Sequence, residues 1–387
     1  MHFATFLLGL ISLFIWVVLT FFRGGFWQLS AFDDDVLPHK ELTSRPRVVA
    51  IVPARNEAGT IARSVESLAG QDYPGELRIY VVDDHSDDGT ADAVRMASGS
   101  IPTERRITIL PADRLPAEWT GKIWALQQGV AKADTVAPDY YWFTDADIVH
   151  APDTLQRLVS RAEAEQRDLV SLMVLLHAKS FAERLLIPAF LYFFLKLYVP
   201  RWIADPKSST AGAAGGCVLL RETALQCIGG LAAIRAELID DCALARAVKR
   251  SGGTIWMGLT RKSLSLRAYR TFEEIRDMIA RTAFTQLGYS PWLLLGTLLG
   301  MLLTYIVPVG LALQSRPPVW QIALGAWVLM TLTYLPTARF YRLSPLWATF
   351  LPIAAAFYSY ATWLSAVRYW LGRGGQWKGR SQAPAMH

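Results

Sequence analysis

Asp145-Ala146-Asp147 closes the apolar run Tyr140-Tyr141-Trp142-Phe143-Thr144. Two carboxylates one residue apart, just past a short run that reads as a buried strand, are hard oxygen donors suited to Mg2+ or Mn2+. A site with so few protein ligands leaves coordination positions for substrate phosphates, so the pair points to metal-assisted handling of a nucleotide diphosphate. The triplet alone has a plainer reading, because Asp shapes turns and caps helices and Pro152 can open a helix just beyond it. Its company separates the two readings. Pro53-Ala54-Arg55-Asn56-Glu57 and Asp83-Asp84-His85-Ser86 also follow short β-branched runs. Thr120-Gly121-Lys122 adds a cation beside a glycine that permits close approach, and Asp240-Asp241 adds a second carboxylate pair.

These groups need elements to hold them. Val48 to Val52, Ile79 to Val82, Ile107 to Leu110 and Tyr140 to Thr144 have the length and composition of buried parallel strands. Helical spacing follows at Glu57 to Leu68, Gly89 to Met96 and Ile123 to Ala133. Strands alternating with helices predict an α/β domain with a mostly parallel sheet covered on both faces. Such sheets bind ligands outside the carboxyl ends of their strands. Three polar clusters fall at those ends, and capping explains each singly but explains the set poorly.

The flanks differ in kind. Of 387 residues, 52% are hydrophobic and 19% charged, and no Asp, Glu, Lys or Arg occurs in 1–22, 282–315, 317–338 or 343–367. Each stretch supplies the roughly 20 apolar residues that cross a bilayer. The expected organisation is an N-terminal membrane anchor at 1–25, a catalytic domain at 45–285, a C-terminal membrane region at 286–371 and a basic tail at 372–387. A linker is expected around Asp33 to Pro38. Within the domain, 181–203 is aromatic, flanked by Arg184, Lys196 and Arg201, and interrupted by Pro188; it reads as an interfacial helix, with a buried core helix as the alternative. The net charge of +6 comes from scattered cations and the tail, which suits anionic lipid and not nucleic acid. Cys217, Cys227 and Cys242 show no metal spacing and fit a reducing compartment.

Taken together, Val-Pro-Ala-Arg-Asn-Glu, Val-Val-Asp-Asp-His-Ser-Asp-Asp-Gly-Thr, Thr-Gly-Lys and Thr-Asp-Ala-Asp-Ile resemble glycosyltransferase family 2 with its GT-A fold, over roughly residues 46–285. The membrane segments and Trp377-Lys378-Gly379-Arg380 resemble the membrane-bound branch associated with hopanoid biosynthesis. The resemblance implies inverting transfer of a sugar from a nucleotide-diphosphate sugar, with uridine as the base, to a hydroxyl. It implies that Pro53, Ala54, Arg55 and Glu57 wrap the nucleoside. Asp84 would recognise the base, with Asp83 holding the loop. Lys122 would reach a phosphate, Asp147 would be the better ligand for Mg2+ or Mn2+, and Asp145 would contact ribose or the metal. Ile239-Asp240-Asp241-Cys242-Ala243-Leu244 resembles the family's Glu-Asp-x-x-Leu signature, which puts Asp241 on the catalytic base and Asp240 beside the acceptor. A plainer reading makes both aspartates caps of a helix from Ala243 to Arg250. Gly215 and Gly216 would shape the acceptor pocket.

Processive members carry Gln-x-x-Arg-Trp where this chain reads Arg281-Thr-Ala-Phe-Thr-Gln286. That departure favours one sugar on one acceptor, expected to be a lipid in the inner membrane with the catalytic domain facing the cytoplasm. A polyprenyl-phosphate sugar transferase and a non-catalytic membrane scaffold are the alternatives. Cations in the tail argue that one uncharged stretch fails to cross, and Tyr289 to Leu313, with Pro291 and Pro308, is the stretch expected to do so.

Overall fold

The computed structural model describes residues 2–33, 45–99, 101, 107–374, 376–377 and 380–381. The expected linker beyond Asp33 and most of the basic tail lie outside the described residues. In chain order, α1 (His2–Phe21) leads to β1 (Val48–Ala54), α2 (Ile61–Ala69), β2 (Leu77–Asp83), α3 (Thr90–Ser98), β3 (Ile107–Pro111), α4 (Gly121–Ala133), β4 (Tyr140–Phe143), β5 (Ile148–His150), α5 (Thr154–Ala164) and β6 (Leu169–Leu175). Next come α6 (Phe181–Leu197), α7 (Pro200–Ala204), β7 (Val218–Arg221), α8 (Glu222–Cys227), α9 (Asp240–Arg250) and β8 (Ile255–Ser265). Helices α10 (Phe272–Ala280), α11 (Ala283–Gln286), α12 (Pro291–Met301), α13 (Val307–Gln314), α14 (Val319–Phe340) and α15 (Leu351–Trp370) follow. The chain forms two compact units, an α/β unit of 31–177 and 202–267 and a helical unit of 1–30, 178–201 and 268–387.

The α/β unit is built on an eight-stranded sheet ordered β3-β2-β1-β4-β7-β6-β8-β5. Strands β3, β2, β1 and β4 run parallel, whereas β7 is antiparallel to both β4 and β6. Every residue of β1 is buried, as its β-branched run predicts for a central strand. Register then places the chemistry. Ala54 pairs with Asp83, and Ile51 with Phe143, so the chain past β1, β2 and β4 emerges at one sheet edge. Helix α4 lies hard against that sheet, because a Cβ on Gly129 would sit 2.4 Å from Ile51 Cγ2.

Two local expectations shift. The helix expected from Glu57 begins at Ile61, since Asn56 adopts a left-handed φ of 51° and the Glu57 amide donates to Thr90 Oγ1 instead of opening a helix. Asp33 is not free linker: it is buried, 3.1 Å from Arg157 Nε, and its amide donates to Leu259 O.

Among the described residues of the helical unit, four helices are long and apolar enough to cross a membrane: Phe3–Phe21, Pro291–Gln314, Val319–Phe340 and Pro345–Trp370. The segment expected to fall short is continuous. Ser290 caps α12, Pro291 sits in its first turn, and a π-helical turn at Leu302–Ile306 joins α12 to α13. Proline in a first turn lacks an N–H that would be unpaired anyway, so Pro291 opens the helix, and Pro308 follows the π-helical turn without ending the helix. Helix α6 opens with a Ser180–Glu183 capping box and is largely buried, which matches the core-helix alternative more than the interfacial one. Tyr192 Oη meets Thr333 Oγ1 at 2.9 Å, and Tyr358 donates to Leu186 O.

Candidate active site

Lys122 stands in the first turn of α4 and lines a cleft. Its ammonium lies 2.9 Å from Asp145 Oδ1 and 3.1 Å from Asp240 Oδ2. Burial alone would pull the Lys122 pKa down, but the Asp145 and Asp240 charges more than reverse this and hold it above the ordinary lysine value. Asp240 and Asp241 occupy the first turn of α9, where the helix dipole favours acids. They do not cap a helix starting at Ala243, because the helix already includes them. Asp241 Oδ2 accepts from the Gly215 amide at 2.8 Å and Oδ1 from the Cys242 amide at 2.7 Å. Burial and the neighbouring Asp240 charge nonetheless push the Asp241 carboxyl up to about 6. Gly215 allows this packing: a Cβ there would sit 3.1 Å from Lys122 Nζ and 3.3 Å from Asp241 Oδ2.

A second cluster surrounds Asp147, which is only 8% exposed. Its Oδ2 accepts from Ser265 Oγ at 3.1 Å and from Arg267 Nε at 3.2 Å, and Arg267 also pairs with Glu57. Beneath it, Thr144 Oγ1 donates to Gly216 O and lies 2.9 Å from His150 Nε2. Burial drives the His150 pKa down to about 3, so the ring is neutral and supports the loop without titrating at physiological pH. Gly216 lies under Val174, 3.1 Å from where its Cβ would be.

The third cluster joins the ends of β1 and β2. Arg55 Nη1 donates to Asp84 O at 2.6 Å, and the Asp84 carboxylate is flanked by Arg55 and His85. The Asp83 carboxylate accepts from the Ser86 amide and hydroxyl. Asp84 is 1% exposed, while Asp83 is the more open of the two.

Residues 49–229 match the family model described as Glycosyl transferase family 2. The chain is similar to family 2 glycosyltransferases over this segment. It is 32% identical over 127 residues to an N-acetylglucosaminyltransferase of Rhizobium leguminosarum bv. viciae, covering 32% of this chain and 28% of that protein. It is 31% identical over 126 residues to the probable glycosyltransferase YdaM of Bacillus subtilis (strain 168), covering 31% of this chain and 29% of that one. The match thus spans less than a third of either relative's length. Among solved structures, a mannosyltransferase from Pyrobaculum calidifontis, in complex with GDP-Man and Mn2+, superposes with a TM-score of 0.56 at 21% identity, covering 92% of this chain and 98% of that one. That likeness shows the GT-A fold.

Within the α/β unit, the structure brings Pro53, Lys122, Asp145, Gly215, Asp240 and Asp241 to one cleft. Arg55, Glu57, Asp84 and Asp147 lie in the two clusters described above, and Ala54 is buried in β1. Arg267 and Ser265 were not singled out from the sequence. They stand at the end of an ordinary strand, with no local signal for their meeting with Asp147. Asp145 and Asp147 fit a divalent cation by donor chemistry. Burial raises the Asp145 carboxyl pKa, and the Asp147 and Asp240 charges add to it against Lys122, so carboxylates outnumber the one lysine in the cleft. Among the described residues no three His, Cys, Asp or Glu side chains converge as a ligand set, so a cation there would complete its coordination with water and phosphate. Asp145, with 36% of its side chain exposed against 12% for Asp147, is the more open of the two.

Proposed function

We propose that this protein is an inverting family 2 glycosyltransferase that moves one sugar from a nucleotide-diphosphate sugar to the hydroxyl of a membrane lipid. The observation that carries this reading is the triangle of Lys122, Asp145 and Asp240, with Asp241 across Gly215, at the carboxyl edge of a GT-A sheet. Asp241 accepts the acceptor hydroxyl's proton as that oxygen bonds to the anomeric carbon from the face opposite the diphosphate. The bond from the anomeric carbon to the diphosphate oxygen breaks, its electron pair leaves with the diphosphate, and Lys122 faces the charge that develops. A divalent cation held by Asp145 and Asp147 would neutralise the same leaving group. Arg267 positions Asp147 and Glu57. Gly215 keeps its side of the cleft free of a side chain.

The four apolar helices support a lipid acceptor, and the narrower resemblance makes a hopanoid the first lipid to try. N-acetylglucosamine heads the sugar panel because several relatives are named for it, and uridine heads the base panel, with GDP-Man as its counterpart in the mannosyltransferase. Membranes containing the protein, given UDP- and GDP-sugars, Mn2+ or Mg2+ and lipid extract, are expected to release nucleoside diphosphate only with one donor and only with lipid. The absence of lipid-dependent release across the panel would defeat this reading.

A further inference from the structure

Helix α15 has the composition of a span, but both its ends sit at the same face of the helical unit. It starts just past the end of α14, where Trp347 packs on Phe181 at 5.5 Å. Its last turns return to the segment that leads into α12. Ser365 Oγ donates to Ala280 O and accepts from the Phe284 amide, Tyr369 stacks on Tyr289 at 4.4 Å, and Leu294 shares a core cluster with Ala366. The other three helices do change face. Gly9 near the start of α1 packs on Leu311 and Val319, at the turn joining α13 to α14, while Arg23 beyond its end donates to Lys196 O.

Between its ends, α15 runs beside α10, from the Phe272–Phe357 contact to an ion pair of 2.7 Å between Arg368 and Asp277. Helix α10 exposes Glu273, Glu274 and Asp277, which are costly to place in hydrocarbon. The outer side of α15 is apolar, with Phe350, Ile353, Tyr360, Trp363 and Trp370 exposed at helical spacing, and its inner side is buried at Leu351, Ala354, Ala355, Tyr358 and Ala361. An exposed aromatic stripe, level with charged groups, suits the boundary between headgroups and acyl chains.

We infer that α15 does not cross the bilayer but lies in its interface, docked on lipid by the Phe350–Trp370 stripe, so that α1, α12–α13 and α14 are the three spans. Cation placement agrees. Arg23, Arg339, Arg342, Arg368 and Arg373 then share one face, leaving Arg316 in the turn at the other, and such an imbalance marks the cytoplasmic side. A crossing α15 would instead carry Arg368 and Arg373 to the far side.

Single-cysteine variants on a Cys227→Ser background, labelled in sealed vesicles of known orientation with a membrane-impermeant maleimide, test the topology. Cys217 and Cys242 are buried. Arg373→Cys is expected to label from the same side as Glu273→Cys, and Ser315→Cys from the opposite side. Labelling of Arg373→Cys together with Ser315→Cys would overturn the inference. A compartment-specific reporter fused after His387 gives the same reading if a cysteine variant fails to accumulate.

Discussion

Replacing Asp241 by Asn probes the assigned base and carries a structural side effect that can be worked out in advance. Both carboxylate oxygens accept backbone amides, from Gly215 and Cys242. Asparagine offers one acceptor oxygen, so its NH2 group must face one of those amides. Losing that bond costs about 1–3 kcal/mol of local stability. Removing a general base costs a further about 100- to 10,000-fold in rate, about 3–5 kcal/mol of barrier. Burial and Asp240 set the wild-type carboxyl at about 6, above its ordinary value. The ionised, active form is therefore about nine-tenths populated at pH 7 and about one-tenth at pH 5. The same upward shift makes protonation favour the folded state, so stability gains as pH falls through about 6, while activity drops. The assay is lipid-dependent release of nucleoside diphosphate from pH 4.5 to 8.5, paired with nucleotide binding and thermal unfolding. Wild type is expected to show an acid limb near pH 6, which the variant lacks. An Asn variant with a wild-type rate, or one whose loss is matched by loss of donor binding, would refute the base assignment; a mild loss would favour an acceptor already ionised, such as a lipid phosphate.

Lys122→Met leaves Asp145 and Asp240 without their shared cation, so nucleoside diphosphate binding should weaken about 10- to 100-fold, the worth of one charged hydrogen bond, as read by calorimetry. Arg267→Ala strands Asp147 and Glu57; with Arg267 one-third exposed, about 1–3 kcal/mol of stability should be lost, visible as a thermal midpoint lowered by several degrees. Chelation should abolish transfer and Mn2+ or Mg2+ should restore it, while Asp145→Ala should resist restoration at any cation concentration.

The strands and clusters were legible because a buried parallel strand is a continuous apolar run, and its carboxyl end is where the polar residues resume. Val48 to Val52 and Tyr140 to Phe143 needed nothing more. Pairings between distant segments were not legible. Arg267 meets Glu57 and Asp147 only because β8 brings its end to the same sheet edge, and nothing in Leu-Arg-Ala-Tyr-Arg announces that. That Arg55 covers Asp84 and not Asp83 was equally out of reach of the sequence. Local spacing also misplaced the start of α9, since Asp240 and Asp241 favour a first helical turn as readily as a cap. The stretch 343–367 reads as a span from composition alone, and only its ties to Asp277 and Ala280 tell where its last turn lies.

The central claim is transfer of a single sugar to a lipid by the Asp241 cleft. Mass spectrometry of the lipid extract after incubation with the membrane protein, donor and cation tests it most directly. The account predicts one lipid class shifted by one sugar residue, with no ladder of longer products and no shift with Asp241→Asn. An unshifted lipid profile with every donor, or an equal shift with Asp241→Asn, would contradict it.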